Sequence, residues 1–149
     1  MSIIRVTKEF GFEMAHALVD YDGPCRNVHG HSYRLFVTIS GKPSDKKGDP
    51  KKGMVIDFGD LKRIVKKHIV DIFDHTVLIS GTDSSERIEA LRKAFGNLMV
   101  SDYQPTCENL VADIAARIKP LLPQGITLFS VRLYETATSY AEWYASDNE

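Results

Sequence analysis

The segment His29-Gly30-His31-Ser32-Tyr33-Arg34-Leu35-Phe36-Val37-Thr38-Ile39 alternates between two kinds of side chain. Its odd positions carry two histidines and then a run of apolar residues, whereas Ser32, Arg34 and Thr38 on the even positions are polar. Because side chains of a strand point alternately to the two faces of a sheet, this pattern predicts a β-strand with one buried face. The same period of two places His29 and His31 on one face.

A second strand is predicted upstream, over residues 3–16. Phe10, Phe12, Met14 and His16 all fall on its even face, so the strand delivers His16 at its end. Residues 19–28 contain Asp, Gly, Pro and Asn and are typical of a loop. The sequence therefore predicts three histidines where two consecutive strands meet their connecting loop.

The rest of the chain alternates helical and extended patterns. Asp57 is a predicted N-cap for a helix whose apolar residues run from Leu61 to Ile72 at helical spacing, and Pro105-Thr106 opens a second such helix. A weaker helix is predicted over residues 84–95, and extended segments are predicted over residues 54–56, 73–79, 98–100, 126–135 and 139–144. This order indicates one α+β domain over residues 1–149, an antiparallel sheet with two helices on one face.

Composition excludes several classes of protein. The 149 residues carry a net charge of −1, with 43% hydrophobic and 26% charged residues. A near-neutral chain offers no electrostatic footprint for nucleic acid, and no apolar run is long enough for a membrane span, so we expect neither partner. Two cysteines make no disulfide framework, which favours a reducing compartment and a cytoplasmic protein.

The histidines are candidate metal ligands. Three neutral imidazoles, from His16, His29 and His31, suit Zn2+ and leave a fourth position open, which is the catalytic pattern. Iron, nickel or copper could also bind such a set of nitrogen ligands. The alternative is that these are hydrogen-bonded strand histidines without a metal. Cys25 lies four residues before His29 and allows two interpretations. It is either a fourth ligand that closes a structural site, or a thiol whose pKa the metal lowers, suited to act as a base or nucleophile.

Three carboxylates are further candidates. Asp74 precedes His75 and could orient its imidazole. Neighbours on a strand point to opposite faces, however, so an ordinary capping Asp beside a surface His is the favoured interpretation. Glu135 ends a predicted strand, where a pocket carboxylate could accept two N–H donors from a guanidine-like ring edge. Glu108 lies in a first helical turn, where an acidic residue also complements the helix dipole.

These residues together resemble the 6-pyruvoyltetrahydropterin synthase / 6-carboxytetrahydropterin synthase family. The resemblance covers most of the chain and rests on several motifs in the family's order. They are Phe-x-x-Ala-His at 12–16, Cys-x-x-x-His-Gly-His at 25–31, Val-Ile-Asp-Phe at 55–58, Asp-His at 74–75, Pro-Thr-x-Glu-Asn at 105–109 and Glu-Thr at 135–136.

The resemblance implies a tunnelling fold (T-fold), a four-stranded antiparallel sheet with two helices, which assembles through its sheets into trimers and then a homohexamer. It implies that active sites lie between subunits. The implied roles are zinc ligands for His16, His29 and His31, and a proton-transfer triad for Cys25, Asp74 and His75. Glu135 is implied to anchor the pterin ring, and Glu108 and Thr106 match positions near it.

The spacing of the cysteine motif resembles the carboxy branch of the family. That branch converts 7,8-dihydroneopterin triphosphate to 6-carboxy-5,6,7,8-tetrahydropterin, with release of acetaldehyde and triphosphate, for queuosine and other 7-deazapurines. Three other hypotheses stay open: the pyruvoyl branch on the same scaffold, a non-catalytic domain with structural zinc, and a three-histidine zinc hydrolase. Residues 79–103 are longer than in compact members and are expected to alter the pocket rim or the subunit contacts.

Overall fold

The centre of the fold is a long antiparallel pair, strands β1 (Ile4–His16) and β2 (His29–Gly41), in a computed structural model that describes residues 2–149. The pairing is continuous over both strands and ends with His16 opposite His29. Side chains of the two predicted apolar rows face one side of the sheet, since Phe12, Met14, Leu35 and Val37 are all buried. The predicted strands and their buried faces are confirmed here.

Four shorter strands flank this pair, two on each side. On one side, β3 (Thr76–Ser80) and β4 (Leu98–Ser101) run parallel to β1. On the other side, β5 (Ile126–Tyr134) pairs antiparallel with β2, with a register shift between Thr38 and Ile39, and β6 (Tyr140–Tyr144) pairs antiparallel with β5. The six-stranded sheet has the order β4-β3-β1-β2-β5-β6.

Two helices cover the buried face of the sheet. Helix α1 (Phe58–Val65) begins at Asp57, whose carboxylate accepts the Gly59 N–H at 2.7 Å, and continues through a π-helical segment, Lys66–Val70, to a last turn at Asp71–Phe73. The second, Cys107–Ile118, begins at Thr106 and contributes the apolar side chains of one face to the core. Both predicted helix starts, at Asp57 and at Thr106, are confirmed.

A third helix lies outside the core. Helix α2 (Ser85–Ala94) connects β3 to β4 and has no buried residue, and the helix Cys107–Ile118 is therefore α3 in chain order. Parallel neighbours need a crossover connection, and α2 supplies it. The segment 79–103 thus forms a small β-α-β addition at one side of the sheet.

The predicted four-stranded antiparallel sheet with two helices is wrong in its counts. The antiparallel set β1-β2-β5-β6 is present as predicted, but β3 and β4 extend it to six strands and make the sheet mixed. The physical reason is that the outer edge of β1 is open, and residues 76–78 pair with Met14, Ala15 and His16 at its end. Pairing there is parallel because the chain returns from α1 in the direction of β1.

The predicted strand over residues 54–56 is also absent. This stretch bends rather than extending, and its backbone closes a loop instead of joining the sheet: the Ser44 N–H donates to Met54 O at 2.9 Å and the Gly53 N–H donates to Ser44 O at 2.7 Å. Val55 and Ile56 therefore pack half-buried against the core without a sheet neighbour, whereas Met54 is exposed. Within residues 2–149, no helix combines the length and the apolar character that a bilayer crossing needs.

Truncation of Leu35 tests the assignment of faces. Leu35 is fully buried in the centre of β2, so Leu35→Ala is expected to lower the free energy of unfolding by about 2–5 kcal/mol. Its neighbour Arg34 lies on the opposite face in an exposed ion pair with Glu9, so Arg34→Ala is expected to cost about 1 kcal/mol or less. Urea denaturation of both variants measures the difference, and equal losses would contradict the burial of this face.

Candidate active site

Three histidines converge where β1 and β2 meet the connecting loop. The β-ladder places His16 opposite His29 and Met14 opposite His31, so the three imidazoles share the buried face at the end of the sheet. One ligand nitrogen from each lies within 4.8 Å of the other two. The sequence-predicted ligands are therefore brought together.

The hydrogen bonds of two of these rings prepare their Nε2 atoms for a metal. His16 Nδ1 lies 2.7 Å from Pro105 O, and His29 Nδ1 lies 2.7 Å from Asn27 O. A carbonyl oxygen only accepts, so each Nδ1 carries the proton and each neutral ring presents an Nε2 lone pair. The two Nε2 atoms face one another at 3.0 Å. Two lone pairs at this separation repel each other unless a cation lies between them.

His31 completes the donor set. Its Nε2 is buried without a hydrogen-bond partner, and the Glu135 carboxylate lies 3.7 Å away. Burial lowers the pKa of both His16 and His31, and for each the nearby Glu135 carboxylate opposes that shift. The lowered pKa favours neutral imidazoles at neutral pH, which is the form that binds metal. The residues present therefore fit a metal ion held by three imidazoles.

A cavity of about 330 Å³ opens beside these histidines. It brings together residues from the end of β1, the connecting loop, the start of α3 and the end of β5. Among its lining residues are His16, Cys25, Thr106, Cys107, Glu108 and Glu135. Five of these six are among the candidates that the sequence singles out, and the sequence separates them by more than a hundred positions.

Two of the lining residues also have structural roles at the start of α3. The Thr106 hydroxyl accepts the Asn109 N–H at 3.3 Å as the N-cap, and Glu108 lies exposed in the first turn. These contacts satisfy the helix end. Both residues still border the cavity, so the capping role and a ligand-binding role are geometrically compatible.

Asp74 and His75 lie elsewhere. Both residues lie at the end of α1, where the His75 side chain is largely exposed. His75 lines a second cavity together with Glu13, Ser32 and His31 of the histidine cluster. Of the predicted triad, only Cys25 borders the cavity beside the histidines. Within residues 2–149 no hydrogen bond or ion pair joins Asp74 or His75 to Cys25.

The two residues do contact each other, contrary to what strand geometry suggests for neighbours. Asp74 ends α1, and His75 has φ +59°, in the left-handed region, so neither residue is in a strand. This turn brings His75 Nδ1 to 2.9 Å from Asp74 Oδ2. The other carboxylate oxygen accepts the Glu13 N–H at 2.8 Å, and this backbone hydrogen bond is the main reason that the pKa of Asp74 is lowered. Asp74 thus stays ionised and orients the ring.

Two residues of the site were not predicted to belong to it. The Tyr33 hydroxyl is buried without a hydrogen-bond partner, and its ring lies 5.6 Å from that of His31. Side chains alternate along β2, so Tyr33 lies on the same face as His31, and the sequence pattern could have indicated its place at the site. Cys107 is half-buried at the start of α3, and burial raises the pKa of its thiol to about 11. Its side chain packs against the core and also borders the cavity.

The arrangement combines three chemical capacities. The imidazoles can hold a cation, the Glu135 carboxylate can accept N–H donors from a ring edge, and the Cys25 thiol can exchange a proton with a molecule in the cavity. A cavity of this size holds a small organic molecule. The site therefore suits chemistry on a polar heterocyclic ligand.

Comparison with known proteins agrees with this geometry. The profile of the family "6-pyruvoyl tetrahydropterin synthase" matches residues 5–146. The chain is 41% identical over 143 residues to the 6-carboxy-5,6,7,8-tetrahydropterin synthase of Haemophilus influenzae, with 95% of this chain and 99% of that protein covered. It is 31% identical to the enzyme of the same name from Rickettsia conorii, with 94% and 99% covered.

Solved structures share the fold. The 6-pyruvoyl tetrahydropterin synthase of Caenorhabditis elegans superposes with a TM-score of 0.71 at 24% identity, covering 97% of each chain. The uncharacterized protein WS1659 of Wolinella succinogenes gives a TM-score of 0.72 at 23% identity, with 97% of this chain and 99% of that chain covered. The match along almost the whole chain shows that this protein belongs to the 6-pyruvoyl tetrahydropterin synthase family.

Proposed function

We propose that this chain is a zinc-dependent 6-carboxy-5,6,7,8-tetrahydropterin synthase that acts in queuosine and 7-deazapurine biosynthesis. Its substrates would be 7,8-dihydroneopterin triphosphate and one water molecule, and its products 6-carboxy-5,6,7,8-tetrahydropterin, acetaldehyde and triphosphate. The observation that carries the proposal is that one cavity is lined by Cys25, Glu135 and His16, and that His16 belongs to the cluster of three histidines. Relatives that carry the synthase's name over nearly the whole chain support the same substrate.

Zinc is the metal that we propose for His16, His29 and His31. Three imidazole nitrogens are borderline ligands that suit this ion and leave a coordination position free. When bound there, zinc supplies Lewis acidity toward the hydroxyl groups of the substrate side chain. Pro105 O and Asn27 O hold the ring tautomers that this requires.

Glu135 is proposed to bind the pterin ring. Its carboxylate stands at the end of β5, where the Glu135 N–H donates to Ser139 O at 3.1 Å in the turn to β6. A carboxylate fixed by a rigid hairpin can accept the 2-amino and N3 donors of the ring together, which sets its orientation as well as its affinity. The fixed ring then presents the side chain to Cys25 and the metal ligands.

Proton transfer is assigned to Cys25 and to the Asp74–His75 pair. The Cys25 thiolate takes a proton from the substrate side chain, and His75, oriented by Asp74, returns one at another atom. Since His75 borders a different cavity from Cys25 in one chain, we propose that a partner subunit supplies it. The sheet has edges to build such an assembly: among the described residues, β1 has no strand neighbour on its outer side before Met14, and β6 pairs only with β5. The assembly that we propose is the homohexamer of two trimers that the family resemblance implies.

Incubation of the zinc-loaded protein with 7,8-dihydroneopterin triphosphate tests the function. Mass spectrometry is expected to find acetaldehyde and the 6-carboxy product in equal amounts. A product that keeps the whole side chain would move the protein to the pyruvoyl branch, which the family profile and the solved neighbours represent. Hydrolysis of unrelated esters by a metal-loaded protein that leaves the pterin untouched would instead support a zinc hydrolase.

Removal of one imidazole tests the metal centre. His29→Ala is expected to weaken zinc binding by at least about 100-fold, since even changes outside the ligand shell cost 10–100-fold. His68 lies half-buried on the π-helical segment outside the histidine cluster, so His68→Ala is the matched control and should retain one zinc per chain. Zinc content after dialysis against a weak chelator, measured by elemental mass spectrometry, separates the two variants. Full zinc occupancy in His29→Ala would rule out this centre.

Substitution of Cys25 distinguishes a catalytic thiol from a fourth ligand. Cys25→Ala is expected to keep its zinc and its melting temperature and to lose about 10²–10⁴-fold in kcat, the contribution of a positioned acid–base group. Cys107→Ala, which removes the other free thiol, should retain most of its turnover. If Cys25→Ala instead loses zinc and unfolds at a lower temperature, the site is a closed structural one.

A further inference from the structure

The turn that carries Cys25 is weakly held by its own contacts. Residues Pro24–Arg26 form a short 3₁₀ turn with no buried side chain and no side-chain cap. Its backbone hydrogen bonds stay within the loop: the Arg26 N–H donates to Gly23 O, and the Asn27 N–H donates to Pro24 O. A turn this exposed needs an external contact if Cys25 is to keep one position.

The first half of the loop has such a contact. The Gln104 side chain donates from Nε2 to Val19 O at 2.8 Å and accepts the Val19 N–H at Oε1 at 3.1 Å. The amide thus pairs with both polar groups of one residue, as a neighbouring strand would. Next to Val19, the Leu18 N–H donates to Cys25 O at 3.0 Å, and this hydrogen bond links the two halves of the loop.

The second half depends on Arg87. Its Nη2 donates to Arg26 O, directly after Cys25, at 3.1 Å. In the described part of the chain, residues 2–149, no other hydrogen bond connects residues 20–26 to an element outside the loop. Arg87 belongs to α2, the helix of the β-α-β addition, and this helix has no buried residue.

Arg87 is itself held in place. Its Nε lies 3.2 Å from Asp83 Oδ2, and the side chain of Asp83 is only 8% exposed. That oxygen has no other partner, and a buried carboxylate needs a counter-charge, so the ion pair fixes the guanidinium. The Ser84 hydroxyl accepts the Arg87 N–H at 3.2 Å and fixes the backbone at the same point. The planar fork of arginine can serve Asp83 and Arg26 O together, which a lysine ammonium does less well.

We propose that Arg87 is a positioning residue that holds the Cys25 turn at the cavity, and that this is the role of the added segment 79–103. The catalytic part of the inference rests on the proposed function, whereas the tether itself does not. Proton transfer depends steeply on geometry, and a displacement of about 1 Å can cost around 100-fold in rate. The guanidinium acts through the backbone of the turn and needs no contact with the substrate.

The test compares Arg87→Ala with Arg92→Ala, which removes the same charge from an exposed position on the same helix. Hydrogen exchange followed by mass spectrometry reads the amides of Leu18, Arg26 and Asn27 in the loop. We expect faster exchange there in Arg87→Ala alone. With 7,8-dihydroneopterin triphosphate, kcat is expected to fall about 10–100-fold while KM stays close to that of the parent, because Glu135 still binds the ring.

Arg87→Lys provides the rescue. It keeps the charge beside buried Asp83, so the helix stays intact, and a single ammonium donor should restore part of kcat and part of the protection from exchange. We expect kcat and loop protection in Arg87→Lys to lie between those of the parent and those of Arg87→Ala. If Arg87→Ala does not fold, the comparison of Arg87→Lys with the parent tests the tether instead.

Two results would overturn the inference. Loop exchange in Arg87→Ala equal to that in Arg92→Ala would show that the tether does not hold the turn. Faster exchange with unchanged kcat would show that the turn's position does not matter for turnover. A parent protein without any pterin turnover would reject the proposed function instead, and exchange alone would then decide the tether.

Discussion

The register of the β1–β2 pair is the constraint on which the site depends. Because side chains alternate along a strand, a slip of one residue would turn His16 away from His29 and would expose the row that includes Phe12 and Met14. The buried apolar rows of both strands therefore fix the histidines at the same time as they fix the core. Metal ligands at the end of such a pair inherit their geometry from hydrophobic burial along its length. The hydrogen bonds of His16 to Pro105 O and of His29 to Asn27 O then set only the rotation of the rings.

Local sequence patterns were enough to predict most of the fold and part of the site. Period-two alternation was enough to predict β1, β2 and their faces, and capping chemistry was enough to place the helix starts at Asp57 and Thr106. The parallel addition of β3 and β4 was beyond reach, because a three-residue pairing such as that of Thr76 with Met14 has no local sequence signature. Residues 54–56 were misassigned because an apolar run does not distinguish a strand from a segment that packs without pairing.

The candidate residues illustrate the same division. The likeness of motifs brought Cys25, Glu135, Thr106 and Glu108 into one hypothesis, and the cavity that they line together is a property of the tertiary fold alone. The contact between Asp74 and His75 depends on a left-handed residue that is not a glycine, a conformation that sequence patterns seldom reveal. Tyr33 and Arg87 were not predicted, for different reasons. Tyr33 lies within an apolar row and was assigned to the core, whereas Arg87 contacts the loop through the backbone carbonyl of Arg26, which is distant in sequence.

The bond between His16 and Pro105 O also links the metal ligands to the cap of α3, since Pro105 directly precedes Thr106. Any ion that binds the native histidines and not the unfolded chain adds its binding free energy to the stability of the native state. A small change in the native-state free energy alters the fraction of unfolded chain that proteases can capture. A chain with an ion on these histidines would therefore resist proteolysis better than the same chain without one, whether or not a substrate is present.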